Sequence, residues 1–248
     1  MATVAAHPSI PTKLARDLPG RRYDHVFFSV MALLMLATVF AGFARTYFLA
    51  GIFRAPLPAL IIHVHGAAFT CWILLLVAQT SMVAAGRVDI HKRLGIAGFF
   101  LACLMVILGV WAATNSLGRA AGPPGRDALF FYIIPLTDML IFATLVFLAF
   151  RARTDPPAHK RLIYIATTAL LIAAIARWPM VRNPILAACC SYIFLLILAA
   201  YDLWSTRKVY RATIWASALL IFVQQIRIPI GKTGAWHSFA TWVQHLAR

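Results

Sequence analysis

The sequence predicts an all-α membrane protein, a bundle of seven transmembrane helices followed by a short amphipathic helix that lies on the membrane surface. First, the 248 residues are 62% hydrophobic and 12% charged, whereas soluble domains carry about 25% charged residues. Second, uncharged runs of about 20 residues recur along the chain, each long enough to cross a hydrocarbon core of roughly 30 Å. Third, aromatic and aliphatic residues recur at helical spacing after the last run, with polar residues between them.

The predicted helices follow these uncharged runs, which divide the chain into three parts. Residues 1–22 form a cytoplasmic tail without the apolar segment of a signal peptide, 23–231 the transmembrane domain, and 232–248 the surface helix, interpreted as an anchor. The seven runs lie near His25–Tyr47, Pro58–Ala84, Lys92–Thr114, Ala128–Phe150, Lys160–Trp178, Pro184–Trp204 and Ala212–Ile230.

The net charge of +16 is explained by the orientation of the protein in the membrane and does not indicate nucleic-acid binding. The basic residues lie at the ends of the apolar runs, where the positive-inside rule and anionic lipid account for them, and no basic stripe with interleaved aromatic residues is present. The tail and the second, fourth and sixth loops carry 14 Lys and Arg, against seven on the other side. This excess predicts a multi-pass protein of the inner (plasma) membrane with its amino terminus in the cytoplasm and its carboxyl terminus outside.

Two loops share a short pattern that indicates an internal repeat. Residues 87–94 and 153–162 both contain Arg-x-Asp, followed by His-Lys-Arg-Leu at the start of the next helix. We interpret this as a weak repeat of a helical hairpin, which would place both loops on the same side of the membrane.

The leading site hypothesis concerns polar side chains inside the apolar runs, which are costly in a membrane and often functional. Counted from the outer end of each helix, His65 and Gln224 lie about 10 Å deep, Asp138 about 15 Å, and Arg177 and Arg227 within roughly 5–8 Å. Their shared depth predicts a small-ligand or ion site in the outer half, walled by helices 2, 4, 5 and 7, for an anionic, quinone-like or metal ligand. The alternative is that Asp138 and one arginine only tie helices together.

His63 and His65 cannot form a metal motif on one helix, because residues two apart point about 200° from each other. A zinc-binding helix spaces its histidines at i and i+4 instead. We expect His65 to point inward and His63 to face a neighbour or the interface, with the reverse assignment left open.

A second candidate site lies at the cytoplasmic edge. His25, His91 and His159 each stand at the start of a predicted helix, and Asp202 lies near the inner end of helix 6. Three imidazoles and a carboxylate at one depth could hold a transition metal or haem b between helices, which would make the protein a redox protein. The alternative is ordinary interfacial chemistry of histidine beside lysine and arginine.

Several segments together form a recognisable pattern. They are Ala41-Gly42-Phe43-Ala44-Arg45-Thr46-Tyr47-Phe48, His63-x-His65-Gly66, Gln79-Thr80, Gly86-Arg87-x-x-x-His91-Lys92-Arg93-Leu94-Gly95, His159-Lys160-Arg161-Leu162 and Ala174-Ile175-Ala176-Arg177. Through these segments the chain resembles an uncharacterised family of bacterial seven-helix membrane proteins, and the resemblance extends over most of its length. The resemblance implies the fold and the membrane location but no activity.

The helix starts at His91 and His159 also give a distant likeness to the transmembrane ascorbate-dependent b-type cytochromes. Those proteins place four histidines on four adjacent helices, well inside the bilayer, to ligate two haems. Here the inner histidines lie in first turns, and the outer half carries His63 and His65 on one helix, which departs from that pattern.

Other function classes find no support in the sequence. No Ser-His-Asp spacing, glycine-rich phosphate loop or paired catalytic carboxylates indicate a hydrolase or a nucleotide enzyme. The four cysteines, all within apolar runs, are typical of small core residues and not of disulfides or a metal knuckle. A structural subunit of a larger membrane complex is the third interpretation.

Overall fold

The computed structural model describes residues 23–55, 58–120, 127–181 and 183–248, so the predicted tail lies outside the described residues. In this part of the chain the protein forms eight α helices and no β strand. The first seven are long and apolar enough to cross a membrane, which confirms the predicted fold class. The helices are α1 Asp24–Phe43, extended by a π-helical turn Ala44–Phe48, then α2 Leu60–Ala84, α3 Val88–Gly118, α4 Ala128–Arg151, α5 Pro156–Ile175, α6 Pro184–Thr206, α7 Arg211–Gly231 and α8 Gly234–Leu246.

The helix boundaries differ from the uncharged runs where polar residues cap a helix. The Asp155 carboxylate accepts a hydrogen bond from the Ala158 N–H, and Pro156 occupies the first turn, where it needs no hydrogen-bond acceptor. The fifth helix therefore begins one turn before the predicted Lys160 and places His159 inside its first turn. Charged residues such as Asp89 likewise belong to α3, because a helix continues past the apolar part that crosses the hydrocarbon.

Helix α5 lies at the centre of the bundle. The chain packs α1 on α2, α2 on α3 and α3 on α4, while α5 contacts α1, α4, α6 and α7. Small residues on α5, among them Ala166, Ala169 and Ala174, are buried and let neighbouring backbones approach closely. At Gly42 of α1 an added Cβ would lie 2.3 Å from the Ala174 carbonyl oxygen, so only glycine fits this crossing.

A buried layer closes the middle of the bundle between α2, α4 and α5. The Trp72 indole N–H donates to the Thr167 hydroxyl at 3.2 Å. The same indole meets the Phe142 ring edge to face, with centroids 5.1 Å apart. All three side chains are buried, so the interior at this level is filled.

One end of the bundle carries the α2–α3, α4–α5 and α6–α7 loops, which together with the helix turns beside them hold ten Lys and Arg; we call it the basic end, and the other the opposite end. Here Arg161 of α5 is 1% exposed and forms an ion pair with Asp202 of α6, which is 0% exposed. The second Asp202 oxygen accepts from the Thr213 hydroxyl at 2.6 Å and the Tyr210 N–H at 3.2 Å. This network fixes α5, α6 and the start of α7 together.

The repeated His-Lys-Arg-Leu segments both lie at the basic end, as the sequence predicted, but their side chains have different surroundings. Arg161 is buried in an ion pair, and Lys160 pairs with Asp24 of α1. Lys92 and Arg93 of the first segment are exposed. An ancestral duplication stays a prediction.

Helix α8 packs across the opposite ends of α3 and α4. The Trp236 indole donates to the Leu129 carbonyl at 2.8 Å, and the Gln244 amide donates to the Leu117 carbonyl at 2.9 Å. Ala240 faces the bundle and is fully buried, whereas Phe239 and Trp242 are exposed. This amphipathic arrangement confirms the predicted C-terminal helix and leaves an aromatic face where a membrane surface would lie.

Candidate functional site

His65 points into the bundle near its opposite end. It stands two turns before Trp72 on the same face of α2, and its ring lies 4.1 Å from the Phe69 ring, centroid to centroid. The ring also lies near the backbone of Leu108 on α3. Its Nδ1 atom is buried and has no hydrogen-bond partner within the described part of the chain.

Arg177 follows the end of α5, close enough to the His65 ring for its charge to act on it. Its guanidinium lies over the Phe43 ring of α1, 4.5 Å from the centroid, and donates to the Ala173 carbonyl. None of the ion pairs among the described residues includes Arg177. The indole N–H of the next residue, Trp178, is buried without a partner in the same part of the chain. These groups form what we call the outer cluster, made of His65, Arg177 and Trp178.

Asp138 belongs to an interhelical ion pair. Its carboxylate accepts from the Arg227 guanidinium of α7 at 2.6 Å, and the same nitrogen lies 3.3 Å from the Thr137 hydroxyl. The two side chains are 10% and 7% exposed. Of the two arginines considered from the sequence, Arg227 is therefore the partner, and the pair ties α4 to α7.

Gln224 lies one turn from Arg227 on the same face of α7 and is 3% exposed. Neither its amide oxygen nor its amide nitrogen has a partner among the described side chains and backbone groups. A buried amide without partners costs free energy unless water or a ligand satisfies it. Gln224 and the Asp138–Arg227 pair thus make a second polar group on the α4–α7 side.

Contacts place His65 and Asp138 at one level of the bundle. Leu108, which contacts His65, is followed on α3 by Gly109, where an added Cβ would meet the Met139 side chain of α4. Asp138 also stands one turn before Phe142, which faces Trp72 in the buried layer. The shared depth inferred from the sequence agrees with these contacts, although Asp138 is engaged by Arg227.

His63 lies apart from the outer cluster, against the π-helical turn. Its ring is 5.6 Å from the Tyr47 ring, centroid to centroid, and the Tyr47 hydroxyl donates to the His63 carbonyl at 3.1 Å. An added Cβ at Gly66 would lie 2.8 Å from the same tyrosine ring. This geometry matches the expectation that His65 points inward while His63 faces a neighbour.

At the basic end the structure brings two of the four candidate ligands together. The His91 and His159 rings lie 6.3 Å apart, centroid to centroid, and are nearly perpendicular. His159 Nδ1 lies 2.8 Å from the Ala149 carbonyl oxygen; a carbonyl only accepts, so Nδ1 carries the hydrogen and Nε2 keeps a lone pair. His91 Nδ1 is buried and unpaired in the described chain.

The other two predicted ligands do not join this pair. Both carboxylate oxygens of Asp202 are used by the Arg161 network, and His25 is exposed on α1. Among the described residues no group of three or more His, Cys, Asp or Glu could hold a metal ion. The four-residue set does not assemble because Asp202 satisfies the buried arginine instead.

Sequence reasoning missed several polar residues of these clusters. The Gln79 backbone lies near the His91 ring, and its side-chain oxygen is buried without a partner in the described chain. Trp178 and the Trp72–Thr167 contact were also missed. The available signal was helical phase, because Trp72 and Gln79 follow His65 at seven-residue steps on one face of α2.

No protein-family model, curated protein or solved structure matches the chain in the comparisons made.

Removing one partner of the Asp138–Arg227 pair should destabilise the bundle strongly. We expect Asp138→Asn to lower the free energy of unfolding by about 3–5 kcal/mol, because it leaves a buried guanidinium without its carboxylate. The double variant Asp138→Asn, Arg227→Gln should cost less than the sum of the two single variants. Denaturant unfolding of the four proteins in detergent measures this coupling. Additive effects would show that the two side chains do not stabilise each other.

Proposed function

We propose that the protein is a multi-pass protein of the bacterial inner membrane that binds a small oxyanion at the outer cluster, as a binding protein or as part of a transport cycle. The observation that carries this proposal is the cation Arg177, which has no carboxylate partner among the described residues and whose charge acts on the His65 ring. His65 Nδ1 and the indole nitrogen of the next residue, Trp178, are buried without partners in the same part of the chain. An anion would compensate the charge, and its oxygens would accept from the guanidinium.

The unpaired atoms of Trp178 and His65 limit which ligands would fit the outer cluster. The Trp178 indole only donates a hydrogen bond, so it suits an acceptor oxygen. We assign the hydrogen of a neutral His65 ring to Nε2, toward the nearby Leu108 backbone, so that the unpaired Nδ1 is an acceptor. A ligand that fits both groups carries an anionic oxygen and also a hydroxyl hydrogen. Hydrogen phosphate, hydrogencarbonate and small hydroxycarboxylates have this chemistry, whereas chloride does not.

Replacing Arg177 should abolish most of the oxyanion binding. We expect phosphate or lactate to raise the unfolding midpoint of the detergent-purified protein more than chloride at equal ionic strength. Arg177→Gln should weaken this apparent affinity by about 10- to 100-fold, as expected for a lost charge-assisted hydrogen bond. Thermal unfolding against anion concentration measures the effect.

Arg119→Gln is the matched control, because Arg119 lies at the same end and donates only to its own helix at the Asn115 carbonyl. It should keep the response of the unmodified protein. Equal responses of the unmodified protein and Arg177→Gln, or equal stabilisation by chloride, would contradict the proposed site.

The proposed orientation places the basic end in the cytoplasm. It rests on the two-to-one excess of Lys and Arg on that side of the sequence. In a variant without native cysteines, Lys232→Cys should react with a membrane-impermeant maleimide in intact cells. Arg87→Cys should react only after the cells are opened. The reverse labelling pattern would invert the topology.

A second candidate function is metal binding by His91 and His159. It is favoured by one observation, the two facing rings with a free lone pair at His159 Nε2 and an unpaired His91 Nδ1. The His159 ring contacts the Ala149 carbonyl, and the His91 ring lies near the Gln79 backbone. Metal-ligating histidines are usually oriented by such a contact on the ring nitrogen that does not bind the metal. Two such imidazoles fit as axial ligands of haem b or as two ligands of a transition metal ion.

Metal analysis and an absorption spectrum of the purified protein test this second candidate. We expect about one metal ion per chain, lost in His91→Ala and in His159→Ala, because each variant removes half of the ligand pair. The control variant His25→Ala, which replaces an exposed histidine at the same end, should retain the metal ion. A Soret band would identify haem. If the protein, after growth with adequate haem and metal, contains no bound metal and shows no Soret band, this candidate is removed.

A further inference from the structure

A groove runs along the outside of the bundle at its basic end, between α4, α5 and α7. Its volume is about 470 Å³. The walls are mostly apolar, and two small residues, Ala152 directly after α4 and Ala212 on α7, leave room between the helices. Its other lining residues include Leu145, Leu148, Leu219, Trp215, Arg151 and Arg211.

Two arginines stand at the mouth of this groove. Arg151 is the last residue of α4, and Arg211 is the first residue of α7. Both are exposed, and no carboxylate within the described chain lies within 4 Å of either guanidinium. At the same end Arg161 is compensated by Asp202. Two uncompensated like charges at one mouth favour an anion between them.

The amino end of α7 adds to this preference. Arg211 and Ala212, its first two residues, both line the groove. The positive end of the helix dipole attracts negative charge, and the Asp202 carboxylate, which accepts from the Tyr210 N–H, takes up part of this attraction. The mouth therefore combines two guanidinium groups with a helix amino terminus.

The walls indicate what the anion is attached to. Trp215 is 74% exposed, and Leu148 is 42% exposed, both on a surface that the apolar helices would present to lipid. Tryptophan is typical of the membrane interface, where its ring lies at headgroup level. An isolated anion would leave these apolar walls uncovered, whereas a hydrocarbon chain would cover them.

We propose that this groove binds one anionic phospholipid, with the phosphate between Arg151 and Arg211 and an acyl chain along Leu145, Leu148 and Leu219. Basic pockets between transmembrane helices at the cytoplasmic side bind anionic headgroups in this way. The charge of the mouth selects anionic over zwitterionic lipid. The site is independent of the outer cluster, which lies at the other end of the bundle.

Native mass spectrometry of the full-length protein in detergent, titrated with phosphatidylglycerol or phosphatidylcholine, tests the proposal. We expect phosphatidylglycerol to bind more tightly than phosphatidylcholine. The double variant Arg151→Gln, Arg211→Gln should weaken phosphatidylglycerol binding by about 10- to 30-fold, close to the loss expected when two basic residues are removed from a membrane interface. The control Arg153→Gln, Arg207→Gln removes the same charge from the same end but leaves the groove residues intact. It should bind phosphatidylglycerol within about threefold of the unmodified protein.

A second variant tests the apolar part without changing charge. Ala212→Phe fills the groove between the helices and should weaken the binding of both lipids. Thermal unfolding without added lipid checks that each variant is folded. Equal loss in the two arginine double variants, unchanged binding in Ala212→Phe, or full displacement of phosphatidylglycerol by millimolar inorganic phosphate would each overturn the proposal.

Discussion

The buried ion pair between Arg161 and Asp202 is the interaction on which the arrangement of the last three transmembrane helices depends. A buried charge needs a partner, because hydrocarbon offers no hydrogen bonds. Arg161 donates to Asp202, whose second oxygen accepts from Thr213 and from the Tyr210 backbone. One carboxylate thus connects α5, α6 and α7, and at the opposite end Asp138 and Arg227 hold α7 to α4. Helix α7 is therefore fixed at both ends by charge.

These satisfied networks give a standard against which the unsatisfied groups can be judged. Where polar side chains serve only to hold helices together, every donor and acceptor finds a partner, as around Asp202. The outer cluster and the His91–His159 pair do not meet this standard, since buried atoms of His65, Trp178 and His91 have no partner within the described residues. The same bundle thus contains both kinds of polar group, which is why we assign ligand chemistry to the unsatisfied ones.

The fold could be predicted from the sequence because each transmembrane helix satisfies its own backbone in an apolar medium. Uncharged runs therefore mark helices directly, with errors at helix ends, as at α5, which Asp155 caps, and at α3, which continues past its apolar part. The candidate site was predicted in part. Depth along a helix follows from residue count, so His65 and Asp138 were expected at one level. The ion-pair partners of Asp138 and Asp202 could not be predicted, because they depend on which helices are neighbours. Arg227 and not Arg177 pairs with Asp138, and Asp202 belongs to Arg161 and not to the histidines.

The buried layer of Trp72, Phe142 and Thr167 limits what the outer cluster can do. His65 lies two turns from Trp72 on the side of the opposite end, whereas Gln79 and the His91–His159 pair lie on the side of the basic end. The three side chains of the layer are buried, and the hydrogen bond from the indole to Thr167 holds α2 against α5. An oxyanion at the proposed site would therefore meet these three buried side chains on its way toward the histidine pair along α2. Passage would require the indole to leave Thr167 and to separate from Phe142, which would break a hydrogen bond and an aromatic contact together. Any passage between the two ends along this route would therefore need a second conformation, in which the contacts of Trp72 with Thr167 and Phe142 are broken.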